Sequence, residues 1–312
     1  TYVSGEDISR RLKISRSAIW KHIQELRQLG YEIAAVPHLG YRLISIADKL
    51  LPQEITSSLD TRFIGKKFYY YENISSTMDI ATKLALEGIE EGGVVCAESQ
   101  MKGRGRLGRE WFSPKAKGIY ISLILRPNIL PSETTKLTIL SAVSCCKAIR
   151  EASGVNTEIK WPNDLIIRNK KVGGILTELN AEMDRVKFVV IGIGINVNNT
   201  KSSLPPNATS IRQETGAAIS RIVLLRRILK QIEDDYLHFL KYGISRIIDE
   251  WRHLSLTLHS RIKVICHNEE IEGEAQDIDL DGGLLIRKDS GFIEKVLAGA
   301  VSYTHLRAHE TS

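Results

Sequence analysis

The stretch KGRGRLGREW, Lys102–Trp111, decides which kind of α/β fold the chain can adopt. Its glycines have the GxGxxG spacing of dinucleotide-binding folds, and a strand pattern precedes it. Such a site also requires a helix that opens at the last glycine and an acidic residue about 20 positions further on. Here Pro114 and Gly118 interrupt the following residues, and Asn128 stands near the expected acidic position. The stretch therefore argues against a nicotinamide or flavin site.

The same stretch has the composition of a loop that binds an anion. Basic residues alternate with its glycines, namely Lys102, Arg104, Arg106 and Arg109. Glycines let backbone N–H groups approach a ligand closely, and guanidinium groups bind carboxylate or phosphate oxygens in pairs. The alternative is a basic surface loop, which charge runs commonly form. Trp111 and Phe112 follow directly and would cover a bound base, which favours the ligand-binding interpretation.

Composition limits the class of protein. The chain has 312 residues, with 43 Lys and Arg against 37 Asp and Glu and a net charge of +6. This length predicts two or three domains, and the basic excess fits an anionic ligand or nucleic acid. The 4 Cys form neither a CxxC pair nor a metal-binding spacing, which favours a reducing compartment. No apolar run reaches the roughly 20 residues that cross a bilayer and no signal peptide precedes the chain, so we expect a cytoplasmic protein without a membrane partner.

The first 46 residues have the pattern of a DNA-binding domain. Two short helical patterns precede two extended runs around Pro37–Gly40, which predicts a β-hairpin. Ser15 offers an N-cap for the second helix. An apolar stripe at i, i+4 and i+7 on that helix consists of Ile19, Ile23 and Leu26. Helix, turn, basic helix and hairpin together resemble a winged helix-turn-helix domain.

The polar face of the second helix predicts the DNA contacts. Winged helix-turn-helix domains place the N-terminal half of this helix in the major groove, where side chains reach bases and phosphates. The predicted DNA-binding residues are Ser15, Arg16, Ser17, Trp20, Lys21 and Gln24. The alternative is a helical adaptor whose basic face is only solvated. Because the chain begins with Thr1 instead of Met, we expect the natural N-terminus and the first helix of this domain to lie upstream, which would weaken DNA binding.

Strand and helix patterns alternate in a mixed order in the central region, which predicts an α+β layer and not a strict βαβ series. Strands are expected at Lys67–Tyr71, Val94–Ser99, Ile119–Leu125, Thr157–Trp161, Leu165–Ile167, Val172–Leu179 and Lys187–Asn196. Helices are expected at Thr77–Glu87, Ser132–Ser153 and Arg221–Trp251.

Short strands separated by turns follow, which predicts a small SH3-like β-barrel. They are expected at Arg261–Cys266, Glu270–Ile278, Gly283–Ile286 and Phe292–Leu297. From Tyr303 the chain shows neither helical nor strand periodicity. We therefore expect the winged helix-turn-helix domain at 1–46, a linker with one short helix at 47–62, a ligand-binding domain at 63–256, the SH3-like domain at 257–302 and a non-native tail at 303–312.

Three motifs in the central region place polar groups beside backbone that a ligand can approach. KWPND has Lys160 and Asp164 around a proline that keeps the preceding residue extended. KKVGGILTEL has Lys171 beside two glycines inside a strand, and IGIGINVNN repeats such glycines before Asn196. Taken singly, a turn cap, a solvated lysine and a bulge explain these motifs equally well.

Together and in this order, the motifs closely resemble those of the biotin protein ligases, a family that includes bifunctional ligases that also repress the biotin operon. The resemblance runs through SSTMD, GRGRLGREWFSP, KWPND, KKVGGIL and GIGIN, and it covers nearly the whole chain. The combination of GRGR with KWPND is the specific part, because the related lipoate ligases share the catalytic fold without it. The resemblance implies a central mixed-sheet domain similar to that of class II synthetases.

The resemblance also implies the site residues, position by position. Contacts to biotin are implied for Ser76, Thr77, Met78, Gln100, Gly103, Arg104, Gly105, Arg106, Lys171 and Gly174. Contacts to ATP are implied for Arg106, Arg109, Trp111, Asp164, Lys171 and Asn196, with Asp164 near the magnesium ion. Lys171 and Arg104 are the expected catalytic residues, because they would neutralise two anions that must meet. Met78 replaces the family's usual Asn and cannot make an equivalent hydrogen bond.

The implied reaction has two steps and uses Mg-ATP. The biotin carboxylate attacks the α-phosphorus to give biotinyl-5′-AMP and pyrophosphate, and a lysine of the biotin carboxyl carrier protein of acetyl-CoA carboxylase then attacks the anhydride. The resemblance further implies that biotinyl-AMP favours a homodimer whose two winged helices bind palindromic operator DNA. Two alternatives stay open, a lipoate or octanoyl transferase and a regulator that binds biotin or its adenylate without turnover.

Overall fold

The computed structural model describes residues 1–266 and 269–303. The chain forms two compact units, Thr1–Lys49 and the part from Leu50 onwards. The predicted non-native tail lies outside the described residues, apart from Tyr303. Within the described part of the chain, no helix is both long enough and apolar enough to cross a membrane.

The smaller unit contains two helices and a hairpin. These are α1 (Gly5–Leu12), α2 (Arg16–Gln28), β1 (Glu32–Val36) and β2 (Gly40–Ser45). Ser15 caps α2, since its Oγ accepts a hydrogen bond from the Ala18 N–H at 3.2 Å. The apolar stripe buries Ile19 and Ile23, and β1 pairs with β2 in antiparallel fashion. The predicted helix-turn-helix and hairpin are confirmed.

The larger unit is built on a seven-stranded sheet. Its strands are β3 (Phe68–Tyr71), β4 (Val94–Ala97), β5 (Gly118–Leu125), β6 (Glu158–Lys160), β7 (Asp164–Ile167), β8 (Lys170–Ala181) and β9 (Val186–Asn196). The strands lie in the order β3-β4-β5-β9-β8-β7-β6. The β3–β4 pair is parallel and the other neighbours are antiparallel. The predicted α+β class is confirmed, and the parallel sheet of a dinucleotide-binding fold is not formed.

Helices cover both faces of this sheet. They are α3 (Pro52–Thr56), α4 (Thr77–Leu86), α5 (Thr134–Ser153), α6 (Ile211–Thr215), α7 (Arg221–Tyr242) and α8 (Ser245–Leu254). Residues that alternate along β4 enter two separate cores, Val94 the one with α5 and α7 and Val95 the one with α4. The single helix predicted over 221–251 is wrong, because Gly243, with a φ of +81°, ends α7 and a second helix follows.

Residues 47–62 were expected to form a linker, but from Leu50 onwards they belong to the larger unit. Leu50 and Ile55 are fully buried in the core of the larger unit. The Leu50 N–H donates to Glu98 Oε1 at 2.8 Å, and Glu98 also pairs with buried Arg221 at 2.8 Å. Apolar burial and a bonded backbone amide therefore make this segment part of the larger unit.

The C-terminal part of the larger unit is an antiparallel sheet of five strands. They are β10 (Arg261–Cys266), β11 (Glu269–Ile278), β12 (Leu284–Arg287), β13 (Ile293–Val296) and β14 (Ala300–Tyr303), in the order β13-β12-β11-β10-β14. The first four strands match the predicted ones. The fifth, β14, was not predicted, and its pairing with β10 carries the preceding Gly299 to the central domain.

Candidate active site

One cavity of about 370 Å³ collects most of the predicted site residues. Its walls come from the central sheet, the glycine loop of residues 102–111, the β6–β7 hairpin and the C-terminal sheet. The predicted residues that line it are Thr77, Met78, Gln100, Arg104, Gly105, Arg106, Arg109, Trp111, Asp164, Lys171 and Gly174. Ser76, Gly103 and Asn196 do not line it. Motifs far apart in the sequence thus meet around one space.

Two glycines of β9 make room for side chains at the floor of the cavity. A Cβ on Gly194 would stand 2.6 Å from the indole of Trp111, and a Cβ on Gly192 would stand 2.6 Å from Sδ of Met78. Because folded interiors are closely packed, a larger residue at either position would displace its neighbour. The sequence predicted that another backbone or a ligand would approach these glycines, and the groups that approach them are instead side chains of the protein itself.

A closed set of hydrogen bonds fixes Gln100. Its Oε1 accepts from the N–H of Thr77 at 2.8 Å and from the Thr77 hydroxyl at 3.1 Å, while its Nε2 donates to Ser113 Oγ at 2.9 Å. The Ser122 hydroxyl donates to Thr77 Oγ1 at 2.8 Å. Ser76 Oγ, by contrast, is buried without a hydrogen-bond partner among the described residues. Since buried hydroxyls are normally paired, Ser76 keeps an unused hydrogen-bonding group beside this network.

The glycine loop folds back on itself. The Gly105 N–H donates to Arg109 O at 2.8 Å, and the Trp111 N–H donates to Gly103 O at 2.8 Å. A Cβ on Gly103 would stand 2.3 Å from Trp111 O, so this turn requires glycine there. At the tip, Leu107 has a φ of +55° and is 74% exposed. The loop is therefore a tight turn whose apolar tip faces solvent.

Arg104 holds the loop between two elements of the central domain. Its Nη1 lies 2.8 Å from Asp79 Oδ1 in α4, and its Nη2 pairs with Glu178 in β8. Two carboxylates therefore already neutralise the charge of this predicted catalytic residue. The contacts indicate that Arg104 fastens the loop in this conformation.

Arg106 reaches in the opposite direction and contacts neutral acceptors. Its Nη1 donates to Asn163 Oδ1 at 3.1 Å and to Gly299 O, which precedes β14, at 3.3 Å. Burial lowers the pKa of Arg106, an effect that Asp164 opposes and Arg109 reinforces. The guanidinium thus joins the loop to the β6–β7 hairpin and the C-terminal sheet. Over residues 1–266 and 269–303, no carboxylate is bonded to it.

Lys171 and Asp164 form an ion pair in the cavity wall. Lys171 Nζ lies 2.6 Å from Asp164 Oδ1, and the same ammonium lies 5.4 Å from the centre of the Trp111 ring. A cation at this distance from an indole face is attracted by its quadrupole. The three predicted nucleotide-binding residues therefore stand together in direct contact.

Asn196, predicted to lie near ATP, is held behind the cavity wall. Its Nδ2 donates to Thr209 O at 3.1 Å, and its Oδ1 is buried without a partner among the described residues. Across residues 1–266 and 269–303, no group of three or more His, Cys, Asp or Glu side chains is placed to bind a metal ion. Asp164, the predicted magnesium contact, thus has no protein-built metal site around it.

Some residues of the cavity wall were not among the predicted site residues. Lys160 lines the cavity and is half-buried, and its pKa is lowered by burial, with Asp164 opposing this shift. Asn163 and Gly299 provide the two acceptors for Arg106. Lys160 and Asn163 belong to the recognised KWPND motif, which was the available signal. The contact of Gly299 depends on the pairing of β14 with β10, which no local sequence pattern predicted.

The predicted DNA-binding face of the smaller unit is presented to solvent. The exposed residues are Ser15, Arg16, Ser17, Trp20 and Lys21, and Gln24 is half-buried. Trp20 is 59% exposed, although a single exposed apolar side chain does not by itself indicate a partner. Ser15 Oγ lies 2.9 Å from Ser17 Oγ at the start of α2. One end of the helix therefore carries the basic, polar and aromatic groups together.

Three family models match consecutive parts of the chain. Residues 1–42 match a model described as HTH domain, and residues 70–196 match the Biotin/lipoate A/B protein ligase family. Residues 257–303 match the Biotin protein ligase C terminal domain. The three matches follow the order of the structural parts described above.

Curated relatives and solved structures agree with these matches. The chain is 41% identical to the Bifunctional ligase/repressor BirA of Bacillus subtilis over 96% of this chain and 93% of that protein. It is 30% identical to the protein of the same name from Escherichia coli over 96% of this chain and 92% of that one. A biotin protein ligase from Aquifex aeolicus, solved in complex with biotin and ATP, is similar with a TM-score of 0.67 and 28% identity, over 77% of this chain and 100% of that one.

Proposed function

Because this chain belongs to the biotin protein ligase family, we propose that it is a biotin–[biotin carboxyl carrier protein] ligase whose helix-turn-helix domain acts as a repressor. The ligase activates biotin with ATP and transfers it to a lysine of the carrier protein. The repressor binds operator DNA through the exposed end of α2.

The observation that carries the ligase proposal is the charge around the cavity. Five cationic side chains line it, namely Arg104, Arg106, Arg109, Lys160 and Lys171, against the carboxylates of Glu110 and Asp164. Apolar groups such as Ile121 and Ile193 line the same space. Such a cavity suits a ligand with an apolar body and several negative charges, as biotin and ATP together provide. The hydrogen-bonded Thr77 and Gln100 mark the end assigned to biotin.

In the first step, the main work of the protein is electrostatic. The biotin carboxylate and the triphosphate are both anions, so positive groups must neutralise and orient them before they react. Lys171 stands at the nucleotide end beside Trp111, whose ring would stack on the adenine. The pre-formed turn of the glycine loop excludes water from the resulting biotinyl-5′-AMP, which would otherwise hydrolyse.

In the second step, the amine of the acceptor lysine attacks the carbonyl carbon of the mixed anhydride. An amide bond forms, AMP leaves with the electron pair of the broken C–O bond, and the amine loses a proton. Positive charge near the phosphate stabilises AMP as it departs. The chain needs no nucleophilic side chain of its own for this chemistry.

Magnesium enters as part of the nucleotide. The described residues offer no cage of acidic groups, and Asp164 is paired with Lys171. Mg²⁺ in nucleotide sites is commonly held by phosphate oxygens, waters and one or two carboxylates. The donor set fits that arrangement, with Asp164 as a protein carboxylate that would face the ion.

Regulation is proposed to couple the two activities. Bound biotinyl-AMP favours a homodimer, and a dimer presents two winged helices to the two halves of a palindrome. Operator binding is therefore expected to tighten when biotin and ATP are present, and sedimentation should detect the dimer under the same conditions. Equal operator affinity with and without biotin and ATP would contradict the coupling.

Incubation of the protein with biotin, ATP and magnesium, followed by mass spectrometry, tests the ligase proposal. Biotinyl-5′-AMP and pyrophosphate are expected, and an acceptor carrier domain should gain the mass of one biotinyl group. Modification by lipoate or octanoate in place of biotin would favour the lipoate ligase relatives. Binding of biotin without pyrophosphate release would instead identify a regulator without turnover.

A further inference from the structure

The cations of the cavity are not equivalent, because some are already neutralised. Arg104 pairs with Asp79 and Glu178, and Lys171 pairs with Asp164 at 2.6 Å. An ammonium or guanidinium bound to a carboxylate attracts a second anion much less strongly than a cation without such a partner. The side chains expected to carry the chemistry are therefore those whose charge is largely compensated in this structure.

Lys160 is in the opposite situation. It ends β6 and stands directly across the β6–β7 hairpin from Asp164, whose Oδ1 contacts Lys171 instead. Within the described part of the chain no carboxylate lies within 4.0 Å of Lys160 Nζ, and its one close aromatic contact is with the ring of Tyr303 at 4.8 Å. The side chain is half-buried in the cavity wall, so its charge is only partly solvated.

The surroundings of Lys160 disfavour its charge unless an anion arrives. Burial is the largest cause that lowers its pKa, and the nearby positive charges of Lys171 and Arg109 act in the same direction, while Asp164 opposes them. A desolvated cation among other cations gains most from a multiply charged anion placed between them. Among the residues that the structure describes, no protein acceptor bonds its three N–H donors, so they can bind phosphate oxygens.

We propose that Lys160 is a further catalytic residue, the cation that contacts the phosphate groups of ATP while biotin is adenylated. The inference rests on the proposed ligase function and adds a residue to its first step. Lys160 is paired in register with Asp164, the partner of Lys171, and all three line the same cavity as the arginines of the glycine loop.

The step balances without a proton transfer. A carboxylate oxygen of biotin forms a bond to the α-phosphorus, and the bond from that phosphorus to the oxygen bridging the α- and β-phosphates breaks. The bridging oxygen keeps the electron pair and leaves in pyrophosphate. Negative charge builds up on phosphate oxygens during this exchange, and a positive group without a competing carboxylate stabilises it best.

The test compares Lys160→Gln and Lys160→Arg with the parent protein. We expect Lys160→Gln to lower kcat/KM for ATP in biotin-dependent pyrophosphate release by about 100-fold, with the KM for biotin changed by less than about twofold. Inhibition by added pyrophosphate should weaken in the same variant. Lys160→Arg, which keeps the charge, should recover a large part of the activity. Lys187→Gln is the matched control, an exposed lysine paired with Glu182 outside the cavity, and should behave as the parent.

Three results would overturn the proposal. Parent-like ATP kinetics and pyrophosphate inhibition in Lys160→Gln would exclude a contact with phosphate. Equal losses in the Gln and Arg variants, accompanied by the same drop in Tm, would assign Lys160 a structural role. A rise in the KM for biotin with unchanged kcat/KM for ATP would move it to the other substrate. Failure of the parent to release pyrophosphate with biotin would contradict the proposed function itself, which separates the two hypotheses.

Discussion

The indole of Trp111 occupies the space above Gly194 that any side chain at position 194 would need, since a Cβ there would stand 2.6 Å from the ring. Trp111, the last residue of the glycine loop, can therefore pack against β9 only because position 194 has no side chain. The same ring lies 5.4 Å from Lys171 Nζ, so its placement also sets the position of that cation.

Gly194→Ala is expected to displace Trp111 and to reduce ATP-dependent adenylate formation. A shift of about 1 Å in a positioning group costs on the order of 100-fold in rate, and pyrophosphate release measures the loss. Gly5→Ala, in the smaller unit and outside the cavity, is the comparison, because a Cβ there would lie 3.5 Å from Tyr41, an ordinary contact. Equal kinetics in Gly194→Ala and the parent would show that the indole does not position the nucleotide.

Lys171→Ala should abolish biotin-dependent pyrophosphate release, because it removes a cation from the nucleotide end of the cavity and leaves Asp164 unpaired there. The expected loss in kcat is on the order of 100- to 1,000-fold, measured at saturating biotin and ATP. Lys170→Gln, an exposed neighbour outside the cavity, provides the control and should retain the parent rate. Substantial turnover in Lys171→Ala would remove Lys171 from the catalytic assignment.

Glu233→Gln should destabilise the larger unit without changing its chemistry. The buried carboxylate of Glu233 accepts hydrogen bonds from three consecutive backbone N–H groups, at 2.5 Å from Arg62 and 2.9 Å from both Phe63 and Ile64. An amide offers one acceptor oxygen and leaves part of this turn unsatisfied, which costs about 1–3 kcal/mol. Urea unfolding measures the change.

Asp234→Asn is the matched control for that experiment. Asp234 is the next residue in α7 and makes an exposed ion pair with Lys230. Exposed pairs of this kind contribute less than about 1 kcal/mol. A loss of stability in Asp234→Asn as large as in Glu233→Gln would mean that helix composition, and not the capping of residues 62–64, determines the effect.

Lys21→Ala should weaken DNA binding to all sequences alike while leaving ligase activity intact. Lys21 lies on the exposed face of α2, and loss of one phosphate contact reduces the salt dependence of binding by about one unit of slope. Fluorescence anisotropy at several salt concentrations gives this slope. An unchanged slope would place the DNA on another surface, and a parallel loss of ligase activity would indicate misfolding.

Local patterns were sufficient for much of the fold. The apolar runs of β5 and β9, which are almost entirely buried, and the capped stripe of α2 are short-range signals, so their predicted positions agree with the structure to within a few residues. The end of α7 at Gly243 was not predicted, because the apolar stripe of this helix continues in α8. Periodicity reports which face is buried and does not report a left-handed residue that redirects the axis.

The cavity was less predictable than its motifs. The order of motifs brought Lys171, Asp164 and Trp111 together as expected, since all three lie in or beside neighbouring strands of the central sheet or in the glycine loop. Which cations have a carboxylate partner depends on distances of about 1 Å between side chains, and sequence patterns do not contain that information. The differing environments of Arg104 and Lys160 therefore emerged only from the three-dimensional arrangement.

The contact between Arg106 and Gly299 has a consequence for biosynthesis. The two residues are 193 positions apart, and the guanidinium donates to the Gly299 carbonyl at 3.3 Å. A ribosome releases the glycine loop, both lysines and the whole central sheet well before Gly299 leaves the exit tunnel, and domains fold in that order during synthesis. A nascent chain thus carries nearly every catalytic group while its cavity still lacks one wall. Competence to retain an adenylate is therefore expected only after the C-terminal sheet has joined the central domain.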